Sequence, residues 1–180
     1  MITVISGTNR PGSRTLAIAR AYLELLRERT DEPVELLDLQ DIDPAAFATT
    51  MYDPAHTPEA LRTLHESHVL EAEKMVIFTP EYNGSYPGIL KTFIDAISVH
   101  RYKENFAGKR IALIGVSSGR AGNLRGMDHL GDSIQHMGGV LYPHKIPLSG
   151  ADKLLDDRGR LTDPAALQTL ADQVTAFVAF

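Results

Sequence analysis

Five short apolar runs recur along the chain, at Ile2–Ile5, Val34–Leu39, Met75–Thr79, Arg110–Val116 and Val140–Tyr142. Most are apolar throughout rather than alternating, which marks strands covered on both faces. Between them apolar residues return at helical spacing. Leu16, Ala19, Leu23 and Leu26 predict a helix from Thr15 to about Arg29, and Leu61, Leu64 and His68 a second one ending near Glu73. Leu90, Phe93, Ile94 and Ile97 place a third, with Pro87 suited to its first turn, and Met127, Leu130, Ile134 and Met137 a fourth. Leu167, Leu170, Val174 and Phe177 make a closing helix, capped by Asp163 with Pro164 behind it. Residues 41–58 hold three prolines and no period, so they read as a long connection, and residues 143–160 read as irregular.

Strands alternating with helices predict a mostly parallel sheet with helices on both sides. At 180 residues the expected fold is one flavodoxin-like domain over residues 1–180. It is a three-layer α/β sandwich whose five-stranded parallel sheet runs in the order 2-1-3-4-5. Such sheets bind ligands beyond the carboxyl ends of their strands, where the strand order reverses between strands 1 and 3. The loops after strands 1, 3 and 4 would meet there. They are Gly7–Thr15, Pro80–Pro87 and Ser117–Gly126, also the three loops of unusual composition.

Composition narrows the chemistry. Hydrophobic residues at 43% and charged residues at 23% are values of a folded globular chain. A net charge of −5 without a basic run argues against nucleic acid as the main partner. The absence of cysteine excludes disulfides, thiolate metal sites and a cysteine nucleophile, and fits a reducing compartment. Met1 leads directly into a strand, without a signal-like or membrane-spanning stretch, so the expectation is a cytoplasmic protein with no membrane partner.

The first loop offers hydroxyls at Thr8, Ser13 and Thr15, a guanidinium at Arg10, and the amino terminus of the following helix. Free N–H groups and the helix dipole favour an anion there. Two readings stand: a phosphate cradle, or an ordinary connection capped by Ser13. The loop lacks the triphosphate P-loop pattern and the dinucleotide G-x-G-x-x-G, so a terminal phosphate monoester suits it better. The second loop, Pro80-Glu81-Tyr82-Asn83-Gly84-Ser85-Tyr86-Pro87, combines aromatic surface with hydrogen-bonding groups. A flat heterocycle needs such a slot.

With these residues the chain resembles the NADPH-dependent FMN reductase family, flavin reductases that include quinone, azo-dye and chromate reductases. The family's first loop resembles G-S-x-R-x-x-S-x-[NT]; here it is Gly7-Thr8-Asn9-Arg10-Pro11-Gly12-Ser13-Arg14-Thr15, with threonine for the frequent serine. The motif P-E-Y-N-x-S-x-P-G-x-L-K is intact from Pro80 to Lys91, and Phe106-Ala107-Gly108-Lys109 fits the lead-in to the fourth strand. The resemblance implies bound FMN, with NADPH or NADH as co-substrate. It implies phosphate contacts from Thr8, Arg10, Ser13 and Thr15, and a ring and ribityl lining from Pro80, Glu81, Tyr82, Asn83, Gly84 and Ser85. Ser117, Gly119 and Arg120 would close the other side. The implied reaction is ping-pong hydride transfer through FMN to a small-molecule acceptor: free flavin, a quinone, an azo compound or a metal oxyanion. No side-chain acid or base is required for the hydride step. Arg14, Arg101, Arg120 and Arg125 are candidates for the nucleotide's 2′-phosphate. A homodimer or homotetramer is implied, with Tyr86, Val99, His100, Tyr102 and Phe106 as interface candidates that could equally pack within one subunit.

Other classes leave traces too. A non-enzymatic flavodoxin-type electron carrier shares the fold and FMN, but carriers usually present a hydroxyl-rich loop where this chain has Arg10. Gly115-Val116-Ser117-Ser118-Gly119 matches the G-x-S-x-G of serine hydrolases, yet continues through Gly122 and Gly126 rather than turning into a helix. The pair His65 and His68, and the group Asp128, His129, Asp132 and His136, show no recognised metal-ligand spacing.

Overall fold

The computed structural model describes residues 1–180. Strand β1 (Ile2–Ser6) leads through the first loop into helix α1 (Arg14–Arg27), which starts where the Ser13 side chain accepts from the Thr15 amide. Strand β2 (Val34–Asp38) follows, then a run of 3-10 turns between residues 39 and 56. Asp38, Asp43 and Asp53 each accept from the amide two residues on, which explains why this segment turns repeatedly instead of forming one helix. It is not merely a polar connection: Ile42, Ala46 and Met51 are buried beneath it.

Helix α2 (Glu59–Leu64) passes into a wider π-helical turn over residues 65–70. Strand β3 (Lys74–Pro80) is buried along its whole length. Helix α3 (Gly88–Ile97) and the short α4 (Tyr102–Phe106) precede strand β4 (Arg110–Val116). Helix α5 (Leu124–His136) and strands β5 (Val140–Leu141) and β6 (Ile146–Leu148) come next. Helix α6 (Pro164–Ala179) closes the chain, with the Asp163 carboxylate accepting from the Ala166 amide.

The sheet is parallel and runs β2-β1-β3-β4-β5, as expected for a flavodoxin-like order. The fifth position differs from the single expected strand. β5 pairs with Arg110 and Ile111, the chain breaks at Tyr142–Lys145, and β6 rejoins β4 alongside Ile114–Val116. The segment expected to be irregular thus contributes a strand next to the site. Helices α1 and α6 pack on one face around Tyr22, Phe78 and Phe177; α3 and α5 pack on the other around Phe93, Phe106 and Met127. Phe106 is therefore a core residue, and among the interface candidates Tyr102 is the strongly exposed aromatic, at 44%. No helix is long and apolar enough to cross a membrane.

Candidate functional site

The carboxyl ends of β1, β3 and β4 bring their loops together around a cavity of about 290 Å³. Its wall is mostly polar. Arg10, Ser13, Arg14 and Thr15 come from the first loop and the start of α1, Pro80, Glu81 and Tyr82 from the second loop, and Ser117 and Ser118 from the third. The amides of Arg14 and Leu16, in the first turn of α1, have no backbone acceptor, so the helix presents free donors and the positive end of its dipole at this wall. Glu81, exposed, is the one carboxylate in the lining.

Two contacts hold the loops in register. The Thr8 hydroxyl, 1% exposed, lies 2.9 Å from the Tyr82 hydroxyl and also accepts from the Arg10 amide. Thr8 is thus a brace beneath the cavity and does not line it. On the third loop, Ser117 donates through its side chain to the Gly119 carbonyl at 3.0 Å. The Ser117 amide donates to Leu148, and the Ala151 amide returns to the Ser117 carbonyl. Pairing of β6 with β4 therefore delivers Ala151 to the lining, a residue no local motif singles out.

Tyr82 and Ser85 exchange backbone hydrogen bonds, and Asn83 and Gly84 between them have φ of 53° and 76°. This is a tight two-residue turn of the I′ kind, for which Asn-Gly is the favoured pair. The turn leaves the Asn83 and Gly84 amides without backbone acceptors. Asn83, Gly84 and Ser85 lie outside the cavity, and Gly84 and Ser85 meet α5. Gly119 and Arg120 also lie outside it, and the Arg120 carbonyl accepts from Ser149. Asn123, buried at the entry to α5, donates to the Thr79 and Pro80 carbonyls and locks the third loop to the end of β3. At the end of β2, burial raises the Asp38 carboxyl above its ordinary range, against the opposing pull of the Gln40 amide.

Residues 1–153 match the family model described as NADPH-dependent FMN reductase. The chain belongs to the NADPH-dependent FMN reductase family. An NAD(P)H-dependent FMN reductase of Pseudomonas aeruginosa is 30% identical over 173 residues, which cover 96% of this chain and 90% of that one. An FMN-dependent NADPH-azoreductase of Staphylococcus saprophyticus is also 30% identical, over 97% and 93% of the two chains. Among solved structures, the flavoenzyme NAD(P)H:(acceptor) oxidoreductase FerB of Paracoccus denitrificans superposes with a TM-score of 0.77 at 26% identity, over 99% and 94% of the chains. Flavodoxin 1 of Bacillus cereus, at 14% identity and a TM-score of 0.61 over 99% and 96% of the chains, shares the fold.

Seen as an FMN reductase, the chain gives its remaining candidate groups structural partners. The hydroxyl of the hydrolase-like Ser117 donates to the Gly119 carbonyl, and His129 sits 2.9 Å from the Ser85 hydroxyl. His65 is 3% exposed and bonds the Asn105 side chain. Asp128 is taken by Lys145 at 2.7 Å.

Proposed function

We propose that this member of the FMN reductase family holds FMN across the cavity and the Tyr82–Ser85 hairpin. With it the protein oxidises NADPH or NADH and reduces a second small molecule. The observation that carries this reading is the donor set: serine, threonine and tyrosine hydroxyls, two guanidiniums and free helix-terminal amides converge on one cavity at the point where the sheet order reverses. Such a set fits a phosphate monoester and would repel a cation. Arg10, Ser13 and Thr15 bind its oxygens, and Arg14 adds charge. A cavity of about 290 Å³ suits a phosphate and polyol chain. The flat ring then extends along Pro80–Tyr82, where the Asn83 and Gly84 amides face its polar edge. The Thr8–Tyr82 bond keeps that edge fixed relative to the phosphate.

The chemistry FMN supplies when bound is a two-electron relay in ping-pong order, hydride in from the nicotinamide and electrons out to the acceptor after the oxidised nucleotide has left. The protein's part is to bind, orient and shield, and no side-chain acid is assigned to the hydride step. Free flavins, quinones, azo compounds and metal oxyanions are the acceptor classes; relatives named as FMN reductase, azoreductase and quinone reductase support the first three. A homodimer or homotetramer is proposed as well, with exposed Tyr52 and Tyr102 as contact aromatics.

The test is anaerobic addition of NADPH, and separately NADH, to the purified yellow protein, followed by an acceptor panel. Rapid bleaching with either nucleotide and recovery of colour with an acceptor are expected. Flavin that neither nucleotide bleaches would make the protein an electron carrier of the flavodoxin type, and a colourless protein that FMN cannot load would remove the reading altogether.

A further inference from the structure

The third loop closes on one side chain. Asn123 is 1% exposed and stands at the entry to α5 with φ 61° and ψ 31°, a left-handed conformation that is strained for any residue but glycine. Its place is the N-cap of the helix, where an asparagine oxygen ordinarily accepts from an amide of the first turn. Here it caps nothing, and Oδ1 is buried without a partner. The side chain is committed elsewhere. Nδ2 donates to the Thr79 carbonyl at 3.0 Å and to the Pro80 carbonyl at 2.9 Å. Both carbonyls can only accept, so the atom facing them is the nitrogen. Two glycines give this amide its room. A Cβ on Gly126 would stand 2.1 Å from Oδ1, and one on Gly115 would stand 3.1 Å from the Asn123 Cβ. Left-handed backbone, an unused cap and an orphaned oxygen all weigh against asparagine at this position, and glycine would remove all three. What asparagine adds is the pair of bonds to the end of β3.

Those bonds fall on the cavity wall. The Pro80–Glu81 peptide is held through both of its polar groups. Its carbonyl accepts from Asn123, and its N–H, on Glu81, donates to the Val116 carbonyl at 2.9 Å. Pro80, Glu81 and Tyr82 line the cavity, and Asn123 does not. We infer that Asn123 is a positioning residue for the flat ring: from the third loop it clamps the Pro80–Glu81 peptide, so that the wall along which the ring lies is set before the cofactor arrives. A wall already in place spares the ordering that binding would otherwise require, and affinity rises accordingly. Asn123 acts through Pro80 and Glu81, and in this the inference rests on the function proposed above.

The test titrates FMN and riboflavin, followed by flavin fluorescence, into the apo forms of wild type, Asn123→Gly, Asn123→Asp and Arg10→Ala. Glycine keeps the left-handed backbone and removes Nδ2; aspartate keeps the shape and sets an acceptor against two carbonyls. Asn123→Gly should weaken both flavins by about tenfold, with the two factors agreeing to within about twofold, because both carry the ring that the wall serves. Asn123→Asp should lose at least as much. Arg10→Ala should instead weaken FMN and spare riboflavin. Hydrogen exchange gives a reading that needs no flavin. In apo wild type the Glu81 amide should be protected about a hundredfold beyond the Asn83 amide, which has no backbone acceptor. In Asn123→Gly that protection should fall, while Val76, in the middle of β3, keeps its own. Riboflavin bound by Asn123→Gly as tightly as by the parent would overturn the inference, as would a loss confined to FMN. Protection lost equally at Glu81 and Val76, or unfolding of both variants, would make Asn123 a residue of the fold as a whole and overturn it too. So would a Glu81 amide that exchanges in wild type as fast as that of Asn83. Wild type that binds neither flavin would instead remove the functional reading, and this inference with it.

Discussion

Arg10 brings full positive charge to a cavity otherwise served by hydroxyls, amides and Arg14. Replacing it with alanine removes a charge-assisted contact to the proposed phosphate, so FMN affinity should fall by about tenfold to a hundredfold. Because the Arg10 side chain is exposed and makes no hydrogen bond or ion pair within the protein, the apo protein should melt as before. Flavin fluorescence titration and a thermal melt of the apo form check the two halves separately, and undiminished flavin retention would refute the cradle. Tyr22 poses a different single-residue question. Its ring is buried edge-on against Phe78 with centroids 5.4 Å apart, yet its hydroxyl has no partner. Burial pushes the phenol pKa well above its usual range, with Tyr142 adding to the effect. Tyr22→Phe keeps the ring and removes the orphaned hydroxyl, so stability should hold or rise by about 1 kcal/mol. The urea midpoint reads this, and a clear drop would reveal an unrecognised partner for the hydroxyl.

Where elements meet, two contacts set the shape of the site's surroundings. His65 joins the π-helical turn to α4 through a 2.5 Å bond to Asn105, whose amide donates to the Ile97 carbonyl at the end of α3. Burial lowers the His65 pKa below its ordinary 6.5, while the Asn105 bond opposes it. The unfolded chain therefore takes up this proton at a higher pH than the folded one does. The contribution is fully present above about pH 6.5 and declines as pH falls toward the lowered folded value. Denaturant midpoints from pH 8 to 5 should show this decline in wild type and a flatter profile in His65→Gln. On the same side of the sheet, β4 approaches the third loop at Gly115. A Cβ there would sit 2.1 Å from the Gly122 carbonyl oxygen, which is backbone and cannot swing away. Gly115→Ala should thus destabilise the protein by about 1–3 kcal/mol and displace the loop that carries Ser117, weakening FMN retention as well. Equilibrium unfolding and flavin titration of the same variant test both consequences.

Across the whole molecule, cofactor binding and folding are linked because the cavity exists only when three loops separated by long stretches of chain are in place. A ligand bound only by the folded state stabilises it by about 2.7 kcal/mol at a hundred times its dissociation constant. For a chain of this size that corresponds to a rise in Tm of roughly 5–10 °C. Differential scanning calorimetry with FMN against riboflavin, which lacks the phosphate, should show the larger rise with FMN. Equal shifts would mean that the first loop does not read the phosphate.

The order of helices and strands, the parallel sheet and the composite of three loops were legible in the sequence, since each rests on a local signal. Apolar runs need two covered faces, helical stripes need one, and Asn-Gly at 83–84 demands a tight turn. The motif from Pro80 to Lys91 placed the family by itself. Other features depend on residues far apart in the chain and had no local signature. The split fifth position arises because β6 can regain β4 only after the break at Tyr142–Lys145, and that pairing brings Ala151 to the cavity. The Thr8 hydroxyl meets that of Tyr82, 74 residues away, and so ties the first loop to the second. Phe106, which the sequence left open between an interface and the core, lies in the core, and Arg125 came to rest on Gly84. Local chain chemistry determines which elements form and which residue types the loops carry. Which of those residues face one another is decided only when the sheet closes, because that pairing belongs to no single segment.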